Sequence, residues 1–154
     1  MDELLRLLRA NALETPEDLA RMLDTDADDV RARINEYEQQ GIIKGYQAIV
    51  DEDQLDLEQV KAVIEVKVAP EREGGFDLVA RRISRFPEIR SMYLMSGDFD
   101  LLLLVAGRDL RSVASFVSEK LATIRGVTAT ATHFMLKTYK DHGVLMDGED
   151  EYER

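Results

Sequence analysis

The sequence has no cysteine and no tryptophan among its 154 residues. Without cysteine, disulfide frameworks, cysteine-ligated zinc and thiol nucleophiles are excluded. The longest apolar run covers residues 101–106, which is far too short to span a bilayer. Met1 leads directly into a charged, amphipathic stretch, so we expect neither a signal peptide nor a membrane segment, and we place the protein in the cytoplasm.

Basic residues are scarce relative to acidic ones. The chain has 20 lysines and arginines against 31 aspartates and glutamates, which gives a formal net charge of −11. Such a charge offers no general attraction to nucleic acid. In contrast, 45% of the residues are hydrophobic, enough for a sizeable core in one domain or in two small ones.

Three short amphipathic helices are predicted within the first forty residues. An apolar stripe at residues 4–8 marks the first helix, and Thr15 before Pro16 is typical of an N-cap followed by a first-turn proline. A break at residues 24–26 precedes the third helix, which ends at Gly41. Two helices joined by a tight turn are typical of a helix-turn-helix, although a generic three-helix bundle fits the same periodicity.

The chain from residue 60 onward predicts a second domain. Residues 42–50 are β-branched and aromatic, which is typical of a strand or an extended arm. This segment is predicted to end a first domain over residues 1–50. Residues 51–59 are predicted to be a linker. Strand patterns then cover residues 60–68, 89–95, 101–105 and 127–136, with helical patterns over 76–83 and 110–124. This β-α-β-β-α-β order predicts an α+β chain whose second domain, residues 60–138, is ferredoxin-like. Because both crossovers contain helices, we expect parallel pairing across them.

A two-layer domain of this kind leaves one face of its sheet open. We expect that face to carry Ala62, Ile64 and Val66 or their alternates, together with the hydroxyls of Thr128, Thr130 and Thr132. An exposed apolar sheet face indicates a partner surface, and the simplest partner is a second copy. The N-terminal helices of the same chain are the alternative cover. Residues 139–154 are predicted to form an acidic tail, disordered from Asp147 onward.

Four stretches of the sequence resemble the Lrp/AsnC family of bacterial and archaeal feast/famine regulators. They are LLRLLRANA at residues 4–12, DLARML with VxxRI and ExxGIIKGY within residues 18–46, SGDFDLLLLV at 96–105, and GVTATATHFMLK at 126–137. The resemblance covers residues 2 to about 139. It implies a DNA-binding domain, an effector-binding and assembly domain, sheet-to-sheet homodimers that often form octamers, and no cofactor.

The resemblance also implies which residues contact DNA: Arg31, Arg33, Asn35 and Lys44. The chain departs from the family where the recognition helix begins, since Asp26-Ala27-Asp28-Asp29 replaces the usual serines and threonines. Residues 1–50 contain six basic and eleven acidic side chains, a net charge of −5. Phosphate contacts need local positive charge, so we expect weak intrinsic DNA affinity that depends on avidity in a multimer.

The turn at residues 96–100 is the best candidate for an effector site, as the resemblance implies. Its members are Ser96, Gly97, Asp98, Phe99 and Asp100, to which we add Thr130. Backbone amides and carboxylates at a subunit interface can bind the two charged groups of a small amino acid. An ordinary turn in which Asp98 caps backbone amides is the alternative.

Other function classes find less support in the residues. His133 and His142, with Asp141 and Asp147 nearby, lack the helical spacing of a metal site, so we expect no metal. Some proteins of this architecture are sirohaem decarboxylases, but the strand at residues 89–95 offers only Arg90 for a tetrapyrrole pocket. We therefore predict a regulator that is not an enzyme. A DNA-silent companion subunit that senses the effector is the other alternative.

Overall fold

A computed structural model describes residues 1–70 and 72–146, so the predicted disorder from Asp147 onward lies outside the described residues. The chain divides into two units, one ending at Ile49 and one beginning at Val50. Within the described residues, no helix is long and apolar enough to cross a membrane.

The first unit contains the three predicted helices, each begun by a side-chain cap. They are α1 (Glu3–Ala10), α2 (Pro16–Leu23) and α3 (Ala27–Gln39). The side chains of Asp2, Thr15 and Asp26 accept hydrogen bonds from backbone amides in the first turns of the three helices. The helices share a core of Leu4, Leu8, Leu19, Ala20 and Val30. The predicted order of a helix-turn-helix is therefore confirmed.

The segment after α3 is irregular rather than a strand. Gly41 ends the helix in the left-handed region, with φ of 69°, and the amide of Ile42 donates to the carbonyl of Tyr37. Residues 42–50 form no strand, so the strand alternative of the prediction is wrong. Tyr46 and Ile49 are about half exposed.

The second unit is the predicted ferredoxin-like domain. Its elements are β1 (Val60–Val68), α4 (Gly75–Ile83), β2 (Ile89–Leu94), β3 (Leu101–Gly107), α5 (Leu110–Ser115) with a π-helical turn (Phe116–Leu121), and β4 (Val127–Phe134). The strand order is β2-β3-β1-β4, and every neighbouring pair is antiparallel. The expected parallel pairing is wrong, because each helical crossover passes over an intervening strand that takes the hydrogen bonds.

The burial pattern of β1 shows which face of the sheet the helices cover. Ile64, Val66 and Val68 are buried against α4 and the π-helical turn, and Ala62 is also fully buried. Of the two sets that the sequence left open for the exposed face, Ala62, Ile64 and Val66 therefore lie on the covered side, and their alternates lie on the open face. Thr130 and Thr132 pair with Val66 and Ile64, so these threonines also lie on the helix-covered side. Thr128 follows the register shift in β1 and donates its hydroxyl to the carbonyl of Lys67.

A π-helical turn shifts the buried face within the predicted helical segment 110–124. At its start, Val113 is buried, whereas Leu110 is 57% exposed and Ala114 is also exposed. Phe116 and Leu121, five residues apart, are both buried. A π-turn brings residues at this separation onto one face.

The predicted tail begins too early. Lys140–Asp141 and Val144–Leu145 form β5 and β6 of a two-stranded hairpin, with His142 and Gly143 at positive φ in its turn. Two central residues at positive φ match the right-handed twist of hairpin strands. The amide of Met146 donates to the carbonyl of Tyr139 and the Met146 side chain is buried, so ordered structure continues to this point.

Replacing Gly126 by alanine is predicted to destabilise the second unit by about 2–4 kcal/mol. Gly126 has φ of 98°, and a Cβ there would lie 2.9 Å from Cγ2 of Val79. The matched control is Gly143→Ala, which has φ of 86° and no atom within 4 Å of the new Cβ, so it bears the backbone strain alone. Urea unfolding of both variants measures the difference, and equal losses would contradict the packing argument.

Candidate nucleic-acid interface and effector turn

The outward face of α3 is polar and has no net positive charge. At 100° per residue, the side opposite the buried Val30 carries Asp28, Ala32, Asn35 and Gln39. The side-chain amide of Gln39 donates a hydrogen bond from Nε2 to Oδ1 of Asn35 at 3.3 Å. Asn35, predicted from the sequence as a DNA contact, therefore lies on the surface that a recognition helix presents.

Arg31 lies at one flank of this face, where two carboxylates hold its guanidinium. One nitrogen donates to Asp28 at 3.0 Å, and another forms an ion pair with Glu17 in the first turn of α2. The Arg31 side chain remains 49% exposed. Sequence spacing did not reveal Glu17, which lies 14 residues away on a different helix.

Arg33 points away from the outward face. Its guanidinium contacts Asp2 at 2.7 Å and Asp29 at 3.7 Å, and its side chain is only 31% exposed. The hydrogen bond with Tyr37 and the charge of Asp2 raise the pKa of Arg33 despite partial burial. Partial burial opposes ionisation of Asp2, but the amide of Leu4, the Tyr37 hydroxyl and Arg33 together lower its pKa. Arg33 therefore links α3 to the start of α1 rather than facing a ligand.

Lys44, the fourth predicted DNA contact, follows α3. Its Nζ lies over Gly41, 2.7 Å from the position that a Cβ would take there. Within the part of the chain that the structure describes, Lys44 forms no ion pair and is exposed. It is thus available at the C-terminal end of α3, whereas Arg31 and Arg33 are engaged.

In the turn between β2 and β3, Asp100 is a structural residue. Its carboxylate accepts a hydrogen bond from the amide of Val68 at 2.9 Å, and its own amide donates to the carbonyl of Val66 at 3.0 Å. The carbonyl of Asp100 accepts from Met95 at 2.8 Å. The turn is thereby fixed to the end of β1.

Asp98 is the exposed carboxylate of the same turn. Among residues 1–70 and 72–146, nothing forms a hydrogen bond or ion pair with its side chain, so the predicted capping role belongs to Asp100 instead. Ser96 is also exposed, whereas Phe99 is half-buried. Gly97 has φ of 125°, and no atom lies within 4 Å of the position that a Cβ would take there. The turn therefore presents one free carboxylate beside backbone that a ligand can approach closely.

Thr130 is separated from this turn by one strand. Both Thr130 and Leu101 pair with Val66, so they lie on opposite sides of β1, about 10 Å apart at two strand spacings. Thr130 is half-buried on the helix-covered side. The structure thus places Thr130 at the same end of the sheet as the turn without bringing the two together.

The two histidines lie in separate places. Nε2 of His133 is 3.0 Å from Glu65 on the open sheet face, and Nδ1 of His142 is 3.0 Å from Asp141 in the hairpin. Within the described residues, no group of three or more histidine, aspartate or glutamate side chains is arranged to hold a metal ion.

Comparisons with known proteins cover both units. A family model for the Lrp/AsnC ligand binding domain matches residues 61–145. The chain is 41% identical over 153 residues to the uncharacterized HTH-type transcriptional regulator YugG of Bacillus subtilis, covering 99% of this chain and 92% of that protein. It is 30% identical over 134 residues to the proline dehydrogenase transcriptional activator of Rhodobacter capsulatus, covering 87% and 86% of the two chains. A transcriptional regulator of Neisseria meningitidis, solved in complex with L-Met, shares the fold with a TM-score of 0.71 and 23% identity, covering 96% and 97% of the two chains.

Replacing Asp100 by alanine is predicted to lower the free energy of unfolding by about 1–3 kcal/mol, because the Val68 amide loses its acceptor. Asp98→Ala is the matched control and changes stability by less than about 0.5 kcal/mol, since that side chain is exposed. Thermal and urea unfolding measure both. A larger loss for Asp98→Ala than for Asp100→Ala would reverse the assignment.

Proposed function

We propose that this chain, which belongs to the Lrp/AsnC family of transcriptional regulators, binds specific DNA through α2 and α3 and adjusts that binding to a small amino acid. The observation that carries the proposal is the match to YugG, which extends over 99% of the chain and therefore includes both units. The similar proteins are transcriptional regulators, so the chain is a regulator rather than an enzyme. Such a role requires access to DNA, which agrees with a cytoplasmic location.

The proposed DNA contacts are Asn35, Arg31 and Lys44. Asn35 lies on the outward face of α3, where its side-chain amide can form hydrogen bonds with the edge of an adenine in the major groove. Arg31 and Lys44 flank this face and supply phosphate contacts. Arg33, a contact predicted from the sequence, is reassigned to stability because Asp2 holds it on the inner side of the helix.

The proposed effector site is the exposed part of the turn, Ser96 to Asp98. Asp98 offers a carboxylate for an ammonium group, and the amides beside Gly97 are accessible to a carboxylate. The Neisseria regulator, which has the same fold, was solved with L-Met, and this supports an amino acid as the ligand class. The ligand changes DNA affinity by favouring one arrangement of the assembly over another.

The proposed assembly is a homodimer formed by the open sheet faces, which is also the building block of an octamer. Val63, Leu102 and Leu104 form the apolar centre of this face, and Tyr93 beside Leu102 is half exposed. Val63 pairs with His133 on the neighbouring strand. A two-fold contact between identical faces removes this apolar surface from water in both copies at once.

The test of the proposed function is a gel shift over a salt series on the DNA upstream of the gene, with the twenty amino acids added one at a time. Arg31→Ala is predicted to flatten the slope of log affinity against log salt by up to about 1 per protomer. Arg33→Ala, two residues away, leaves that slope unchanged and lowers stability instead. Asp98→Ala removes the response to the amino acid while leaving DNA binding intact.

Two outcomes of the gel shift contradict the proposal. Failure of the wild-type protein to bind this DNA at any salt concentration identifies a DNA-silent companion subunit. An equal loss of slope in Arg31→Ala and Arg33→Ala returns Arg33 to the DNA surface.

Replacing Leu104 by glutamate is predicted to convert the dimer to a monomer, because a buried unpaired charge is costly. The control is Leu110→Glu, an exposed leucine in the first turn of α5 and away from the open face. Light scattering at micromolar concentration gives the mass of each variant. A monomeric wild-type protein, or a dimeric Leu104→Glu variant, would rule out this face as the contact.

A further inference from the structure

The ion pairs of Arg31 connect the beginnings of both helices of the helix-turn-helix. Glu17 lies in the first turn of α2 and Asp28 in the first turn of α3, and their carboxylates meet at one guanidinium. Helix N-termini attract anions, and in DNA-binding proteins these anions are commonly phosphates. In this chain, a carboxylate from the first turn of each helix already lies beside the same arginine, Arg31.

We propose that Glu17 and Asp28 act as an internal competitor for DNA, occupying on Arg31 the position that a backbone phosphate takes in the complex. Binding then proceeds by exchange, in which a phosphate displaces the two carboxylates from the guanidinium. This inference rests on the proposed DNA-binding function and adds two residues that set its affinity.

The other acids of the two first turns do not share this role. Asp18 accepts the Thr15 hydroxyl and pairs with Arg21 on its own helix. Asp29 accepts the Thr25 hydroxyl and lies 3.7 Å from Arg33. Only Glu17 and Asp28, among the described residues, form ion pairs with Arg31.

The exposure of the pairs determines the size of the effect. Glu17 is 57% exposed and Asp28 is 96% exposed, so each pair is weak enough for a phosphate to replace it. Two exposed pairs that share one guanidinium hold it by a combined factor of about 2 to 5 per protomer. A dimer on a two-fold operator releases two copies of Arg31, so neutralising the competitor should raise affinity about 4- to 25-fold.

The exchange also predicts a change in salt dependence. When a phosphate takes Arg31, Glu17 and Asp28 are left without their cation and recover counterions from solution. This uptake offsets part of the counterion release from DNA that normally makes binding salt-sensitive. Removing the two carboxylates should therefore make the slope of log affinity against log salt steeper.

The experiment compares wild type with Glu17→Gln, Asp28→Asn and the double variant. The probes are the DNA fragment upstream of the gene and a random-sequence duplex of equal length. The matched control for each single variant is Glu3→Gln, which removes one negative charge from the same unit and also frees an arginine, Arg6 of α1. The double variant should bind both probes about 4- to 25-fold more tightly, whereas the control changes affinity less than about twofold.

An Arg31→Ala background separates competition from general repulsion. If the carboxylates act by holding Arg31, the gain of the double variant in that background falls to about the square of the small factor seen for Glu3→Gln, because the double variant removes two charges and the control removes one. A gain that persists without Arg31, or a double variant that binds no better than the control, overturns the inference and leaves the proposed function standing. Failure of every variant to bind either probe at low salt overturns both.

Discussion

The strict alternation of side chains along β1 is the constraint on which the second unit depends. β1 is hydrogen-bonded to β3 on one side and to β4 on the other, so it cannot shift without breaking both ladders. Its even-numbered residues from 62 to 68 are buried, and its odd-numbered residues face outward. A slip of one residue would exchange the two sets. The core, the open face and the anchor of the 96–100 turn all follow from this register.

Elements whose signals are local were predictable from the sequence. Thr15 before Pro16 located the start of α2, and period-two alternation located β1. The assignment of faces was not predictable in the same way, because alternation separates two sets of side chains without saying which set the helices cover. The sequence therefore left open which set of β1 the helices cover, and Thr130 was expected on the open face although it pairs with the buried Val66.

Contacts between distant residues account for what the sequence left open at the candidate sites. Asp2 and Arg33 are 31 residues apart, and Asp100 reaches an amide 32 residues away. Helical and strand periodicity describe neighbours within one element, so neither pair leaves a local signal. The charge count of residues 1–50 predicts overall repulsion toward DNA, and the structure adds which arginine each carboxylate engages.

The attachment of Asp100 to the end of β1 has a consequence for ligand recognition. A free loop must surrender backbone entropy when it closes on a small molecule, and that loss weakens binding. Here the central strand has already imposed the order, since the turn is held by the amide of Val68 and the carbonyl of Val66. If positions 96–98 bind the effector as proposed, sequence change there alters ligand selectivity, while the geometry of the turn is set by the sheet.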